Sequence, residues 1–218
     1  MIDTDLPIPP ISIHTDDKQF VLCLPPVIVV EGYPGNDDDP HDPGGRTHAG
    51  IIQTEYNVYR KSIGKPIQDV WLASWNEVCD IYYISYWLPW ASQLWSGLNQ
   101  MYFDQSVNQG PVQAARNLQK ALNAYHDPGI VSAMLRTLRL KAGTLAVDGH
   151  LGPMTLGALN ALNDRRDFLT AYYNWDMAFY HQLANWVYYG KGWSNRATAI
   201  YQAALKLFDI SNPVKPTV

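Results

Sequence analysis

The stretch from residue 32 to residue 52 decides most of what this chain can fold into. Gly32, Pro34, Gly35, Pro40, Pro43, Gly44, Gly45 and Gly50 fall within it, with Asp37, Asp38, Asp39 and Asp42 between them. Gly and Pro at that density bar a helix. Asp among them favours turns, because its side chain bonds its own backbone. On both sides the spacing is helical. Before the stretch stands an eleven-residue apolar run, residues 20–30, closed by a lone Glu31. After it, Cys79, Tyr82, Tyr83 and Tyr86 repeat at three- and four-residue steps. The sequence therefore predicts a mostly α protein of α+β type, a helical bundle with one small β-hairpin lobe near the N-terminus. Gly44-Gly45 is the expected turn of that hairpin.

Taken in order, residues 1–17 read as an irregular arm, since Pro7, Pro9 and Pro10 forbid regular helix. Pro25-Pro26 splits the first helix into a piece before it and a short piece ending near Glu31. A helix is expected over about 54–63. Ser74 and Glu77 form a capping-box pattern that starts a helix reaching about 87. Further helices are expected over 91–109, 111–125, 130–140 and 153–163. Asp164 or Asp167 starts a long one to about 189, broken by Gly190-Lys191-Gly192, and the last covers 193–208. This gives one region over 18–109, a second helical region over 110–210, and a tail from 211.

Composition narrows the function classes. The chain has 218 residues and a net charge of −4, without a basic block, which argues against nucleic acid as a partner. No run of 18 apolar residues occurs, so no membrane span is expected. The first residues are acidic and Pro-rich, unlike a signal peptide. Cys23 and Cys79 either pair or stay as buried thiols. A calcium loop counted from Asp37 or Asp39 needs Glu at its twelfth position and meets His48 or Gly50 instead. No Glu-and-His helix pair suggests zinc, so neither metal nor cofactor is expected. Eight Trp and fourteen Tyr against five Phe suit partly buried sites and carbohydrate-facing grooves, and ordinary cores as well.

Glu31 is the first candidate for chemistry. A carboxyl at an apolar edge is expected to hold its proton tightly, because desolvation disfavours the charged form. A second carboxyl on the loop after it would stay ionised. Two carboxyls pushed apart in this way can perform glycosidic acid/base chemistry. The same residues also fit a solvated helix end followed by turn formers.

Several motifs then resemble one family. They are Glu31-Gly32-Tyr33, Asp42-Pro43-Gly44-Gly45-Arg46-Thr47 with Gly50-Ile51, Tyr86-Trp87-Leu88-Pro89, and Phe103-Asp104 with Val107-Asn108-Gln109-Gly110. Leu118-Gln119-Lys120-Ala121-Leu122, Val147-Asp148-Gly149 with Gly152-Pro153, and Gly190-Lys191-Gly192-Trp193 complete the set. In this order they resemble the N-acetylmuramidases of glycoside hydrolase family 108, which carry a C-terminal predicted peptidoglycan-binding domain. The resemblance implies a lysozyme-like fold that cleaves the β-1,4 bond between N-acetylmuramic acid and N-acetylglucosamine. It implies Glu31 as the catalytic acid. By analogy with phage lysozymes, Asp42 would hold or activate a water and Thr47 would help position it. One Gly of the family's Glu-Gly-Gly-Tyr motif is missing and two residues are added before Asp42, so Asp39 competes with Asp42 as second carboxylate.

Other candidate substrate contacts keep two readings each. Tyr33 stacks on a sugar or packs the loop. His48 bonds Glu31 or substrate, or is an exposed loop His. Asp104 and Asn108, one helical turn apart, line a groove or brace the fold. The expected partner is the peptidoglycan glycan strand, met by a monomer made in the cytoplasm without a signal peptide and acting on the cell wall as an endolysin. The alternative is a non-catalytic peptidoglycan-binding or structural wall protein on the same fold.

Overall fold

The computed structural model describes residues 8–38, 45–125 and 144–213. Contacts divide the chain into two compact units, Met1–Pro89 and Trp90–Val218. The architecture is mostly helical with one small antiparallel sheet, the expected class. The helix expected over 130–140 lies outside the described residues.

The first unit begins with α1, Lys18–Val30. The Asp17 side chain caps it by accepting the Phe20 N–H at 3.0 Å. Pro25 and Pro26 sit inside this helix and do not split it. A proline inside a helix costs about 3 kcal/mol through its missing N–H and ring clash. Against that, Phe20, Cys23, Leu24, Val27 and Ile28 are buried along one face. Each such side chain contributes roughly 1.5–3 kcal/mol on burial, so tertiary packing holds the helix through the break. Cys23 and Cys79 are both free and buried.

A three-stranded sheet follows: β1, Asn36–Asp37; β2, Thr47–His48; β3, Ile51–Ile52. Thr47 pairs with Ile52 and His48 with Ile51. The tight turn between β2 and β3 is Ala49-Gly50; the expected Gly44-Gly45 turn falls in the connection between β1 and β2, where Gly44 lies outside the described residues. Both turn residues have positive φ, 50° and 76°, as a two-residue type I′ hairpin turn requires. Ala49 hides this turn from a sequence reading, because Ala seldom adopts positive φ.

Helix α2, Gln53–Ser62, leaves β3 directly. Helix α3, Trp75–Ile81, starts on the expected capping box, with Ser74 and Glu77 bonding each other's backbone. It then widens into a π-helical segment, Tyr82–Trp87, where the Leu88 N–H donates to Tyr83 O five residues back. Such segments are frequent at functional sites.

The second unit is built on α4, Leu98–Gln109, which is buried on nearly all sides from Leu98 to Ser106. The expected helix over 91–109 is broken by Gly97, whose φ is 94°. A Cβ there would lie 2.8 Å from Ala204 O and 3.0 Å from Phe208 Cβ, so close approach to the last helix demands glycine. Around α4 lie α5, Pro111–Ala124, and α8, Trp186–Ser211. Helix α7, Arg165–His181, packs on α5 and α8, and short α6, Pro153–Asn160, precedes it. Asp164 caps α7 by accepting the Asp167 N–H. Gly190-Lys191-Gly192 does not break a helix as expected. Gly190 is buried inside α8 under the Trp186 ring, where a Cβ would meet ring carbons at 2.6 Å. The break falls instead between His181 and Trp186.

Candidate active site

Glu31 caps the C-terminus of α1, its N–H bonded to Val27 O at 3.0 Å. The chain then turns through Gly32 at φ 78°. The Glu31 side chain is half-buried and seats against the hairpin turn. A Cβ on Gly50 would lie 2.6 Å from Glu31 Oε2 and 2.8 Å from Tyr82 Oη. The bare backbone of Gly50 is thus the floor on which both groups rest. Tyr82 fixes the turn from the other side by donating its hydroxyl to Ala49 O at 2.8 Å.

The Gly50 floor makes a direct prediction. Gly50→Ala meets both positive φ and steric crowding, whereas Gly32→Ala meets positive φ alone, with nothing within 4 Å. Replacing Gly at positive φ destabilises by roughly 1 kcal/mol or more, and overpacking adds about 1–3 kcal/mol. Urea unfolding should place Gly50→Ala below Gly32→Ala by that second amount. Equal stabilities would mean the carboxyl is not pressed on Gly50.

The lobe around Glu31 is clamped by named contacts. Arg46 bonds Asp38 at 3.2 Å and Asp69 as well, and its guanidinium stacks 4.4 Å over the Trp71 ring. The Trp71 indole N–H donates to Thr47 O at 3.0 Å. Thr47 and His48 are half-buried on β2, immediately before the turn that carries Gly50. His48 Nδ1 pairs with Asn36 Oδ1 at 2.6 Å, and burial lowers its proton affinity below the ordinary value. Tyr33 packs its ring 4.9 Å from Trp75 and 6.4 Å from His48. Glu31, Tyr33, Thr47 and His48 are therefore gathered at one hairpin. Asp39 and Asp42 lie outside the described residues. Among the described residues no cluster of His, Cys, Asp and Glu could hold a metal ion.

Two candidates belong to the second unit. Asp104 is only 4% exposed, and both its oxygens accept from Arg196 Nε, at 3.1 and 3.3 Å. Asn108 donates to the Tyr180 hydroxyl at 3.0 Å. It lines a cleft of about 290 Å³ together with Gln109, Gln113, Phe179, Tyr180, Leu183 and Trp193. The cleft offers three carboxamides beside three aromatic rings and no charged side chain.

Sequence reading missed three residues at Glu31. Gly50 stands in the motif, but its place against Glu31 shows only in the fit. Tyr82 and Tyr86 stand on the helical stripe seen in the sequence, but nothing there tells which partners they meet. With this geometry in place, comparison with known proteins finds a family model that matches part of the chain. Residues 25–110 match the model for Glycosyl hydrolase 108. The matched segment runs from inside α1 to the end of α4 and contains Glu31, the hairpin and the Tyr82–Trp87 segment. No curated protein matches the chain. The structure of Brucella abortus SagA is similar, with a TM-score of 0.67 and 24% identity over 87% of this chain and 95% of that one. That likeness is one of fold.

Proposed function

We propose that this chain is a glycoside hydrolase acting on peptidoglycan, a muramidase that cleaves the β-1,4 bond between N-acetylmuramic acid and N-acetylglucosamine. The supporting observation is Glu31 itself. It ends a buried helix, rests its carboxyl on the Gly50 turn, and lies inside the segment that matches the glycosyl hydrolase family. In this reading Glu31 gives its proton to the leaving glycosidic oxygen. Asp42 or Asp39 supports the oxocarbenium-like transition state or activates water. Thr47, next to the turn, helps place that water, and Tyr33 and His48 flank the bound sugar.

The region over residues 110–210 is read as the wall-binding part of a monomeric endolysin that reaches the cell wall after synthesis in the cytoplasm. The cleft beside Asn108 favours that reading. Aromatic faces suit the apolar side of a sugar ring, and carboxamides both donate to and accept from its polar groups. Among the described residues no helix is long and apolar enough to cross a membrane.

Digestion of purified peptidoglycan tests the assignment. Turbidity should fall, and the newly released reducing ends should be N-acetylmuramic acid. Reducing ends on N-acetylglucosamine would refute the muramidase label. No turbidity loss at all would leave only the non-catalytic wall-binding alternative.

A further inference from the structure

Glu55 stands in the first turn of α2, shortly after Gly50, and is half-buried. Its Oε2 accepts the Tyr86 hydroxyl at 2.8 Å. The Tyr86 ring lies 5.9 Å from that of Tyr82, and Tyr82 Oη shares the space over Gly50 with Glu31 Oε2. Glu31, Tyr82, Tyr86 and Glu55 thus follow one another as neighbours, all inside the first unit. An acidic residue in a first helical turn commonly serves the helix dipole, at about 0.3–1 kcal/mol. That role is met equally well by an exposed carboxylate. Glu55 is instead held above the usual carboxylate range, by burial first, with hydrogen bonds from Tyr86 and Ser85 acting the other way. Tyr86 is pushed far above an ordinary phenol by burial, by Glu55 and by the charge of Glu31. One phenol therefore stands in the field of both carboxyls.

We propose that Glu55 is a positioning residue for Glu31: it takes the Tyr86 hydroxyl as its own donor, turning that hydrogen away from Glu31, and sets a second carboxylate behind it. Glu31 then has less help in holding a negative charge and keeps its proton for the leaving oxygen. The inference rests on the reading of Glu31 as general acid. Among the described residues the ionisable groups that link Glu55 to Glu31 are Glu55 from α2, Tyr82 and Tyr86 from the π-helical segment, and Glu31 itself. The last turn of α1 carries no basic residue to offset them.

Carboxyl-carbon NMR of the full chain, with glutamate labelled, tests the coupling without any need for activity. The Glu31 resonance is identified by its loss in Glu31→Gln. In Glu55→Gln the Glu31 titration midpoint should fall by roughly one pH unit, the effect of a like charge removed across a partly buried site. The alkaline limb of kcat/KM on peptidoglycan should move down with it, with KM nearly constant, and Glu55→Asp should restore most of the shift. An unmoved midpoint in folded Glu55→Gln overturns the proposal. The wild type gives a second test should that variant not fold: coupled carboxyls titrate in two steps, and a single-step Glu31 curve overturns the proposal as well. Absence of lysis by the wild type overturns the functional reading separately, and the positioning role of Glu55 in catalysis with it, even where coupling is seen.

Discussion

Glu31→Gln should cut peptidoglycan solubilisation by about a thousandfold while leaving the fold intact. General acid catalysis by a placed side chain contributes 10²–10⁴ in rate, about 3–5 kcal/mol. Gln removes that proton and keeps the volume. The volume matters here, because the carboxyl of Glu31 fills the space beside Gly50 that a Cβ there would need. A shorter residue would leave a gap under the hairpin and confuse a packing loss with a chemical one. The isostere should shift unfolding free energy by no more than about 0.5–1 kcal/mol, typical of substitutions that create no cavity. Turbidity assays and urea unfolding on the same preparation separate the two effects. Lysis that survives in Glu31→Gln removes this residue from the mechanism, whatever becomes of the glycan specificity.

How far such a site can be read from sequence depends on which interactions place it. Glu31 stands out as a candidate because its signal is local: an apolar run, one acid, then glycine. The capping box at Ser74 and Glu77 is local too, and it forms as read. The two misplaced breaks share one cause. Pro25-Pro26 and Gly190-Lys191-Gly192 are local helix breakers, but the first lies on a helix with five buried anchors and the second packs under Trp186. Tertiary burial outweighs propensity in both. The turn between β2 and β3 escaped the sequence for a related reason. Ala49 accepts positive φ because it is fully buried and its carbonyl is held by Tyr82.

The wider site escaped a sequence reading because its pairs lie far apart in the chain. Tyr86 and Glu55 are 31 residues apart, and no periodicity links a residue on one helix with a residue on another. Asp104 shows the same limit. Its spacing with Asn108 marks one helix face, yet its partner Arg196 stands 92 residues on. A motif therefore identifies which side chains matter sooner than it tells what they touch.

The interior of the second unit carries a pH dependence of unusual sign. Asp176 is 6% exposed, and its Oδ1 is buried without a hydrogen-bond partner among the described residues. Burial, then the neighbouring Asp104, raises its pKa to about 7, with Gln105 and Arg196 offsetting part of that rise. Arg196 Nη2 lies 2.9 Å from Asp104 Oδ1, so among the described residues two carboxyls, Asp104 and Asp176, face one guanidinium. In the unfolded chain Asp176 titrates near 3.8. Below that pH both states hold the proton. Between 3.8 and 7 the folded state keeps a proton that the unfolded state has lost, so stability declines steadily as pH rises through this window. The full loss by pH 8 is on the order of 4 kcal/mol. Acid-labile proteins behave the opposite way, since their carboxylates are stabilised ionised. Asp176→Asn should remove the Asp176 share of this slope, leaving that of Asp104, whose pKa is also raised by burial and lowered by Arg196. It should be close to wild type at pH 4 and roughly 2–4 kcal/mol more stable at pH 8, because a neutral amide needs no buried charge. Urea unfolding at pH 4, 6 and 8 measures both curves. A wild type equally stable at all three values would mean that Asp176 is ionised in the fold and finds its counter-charge in Arg196 after all.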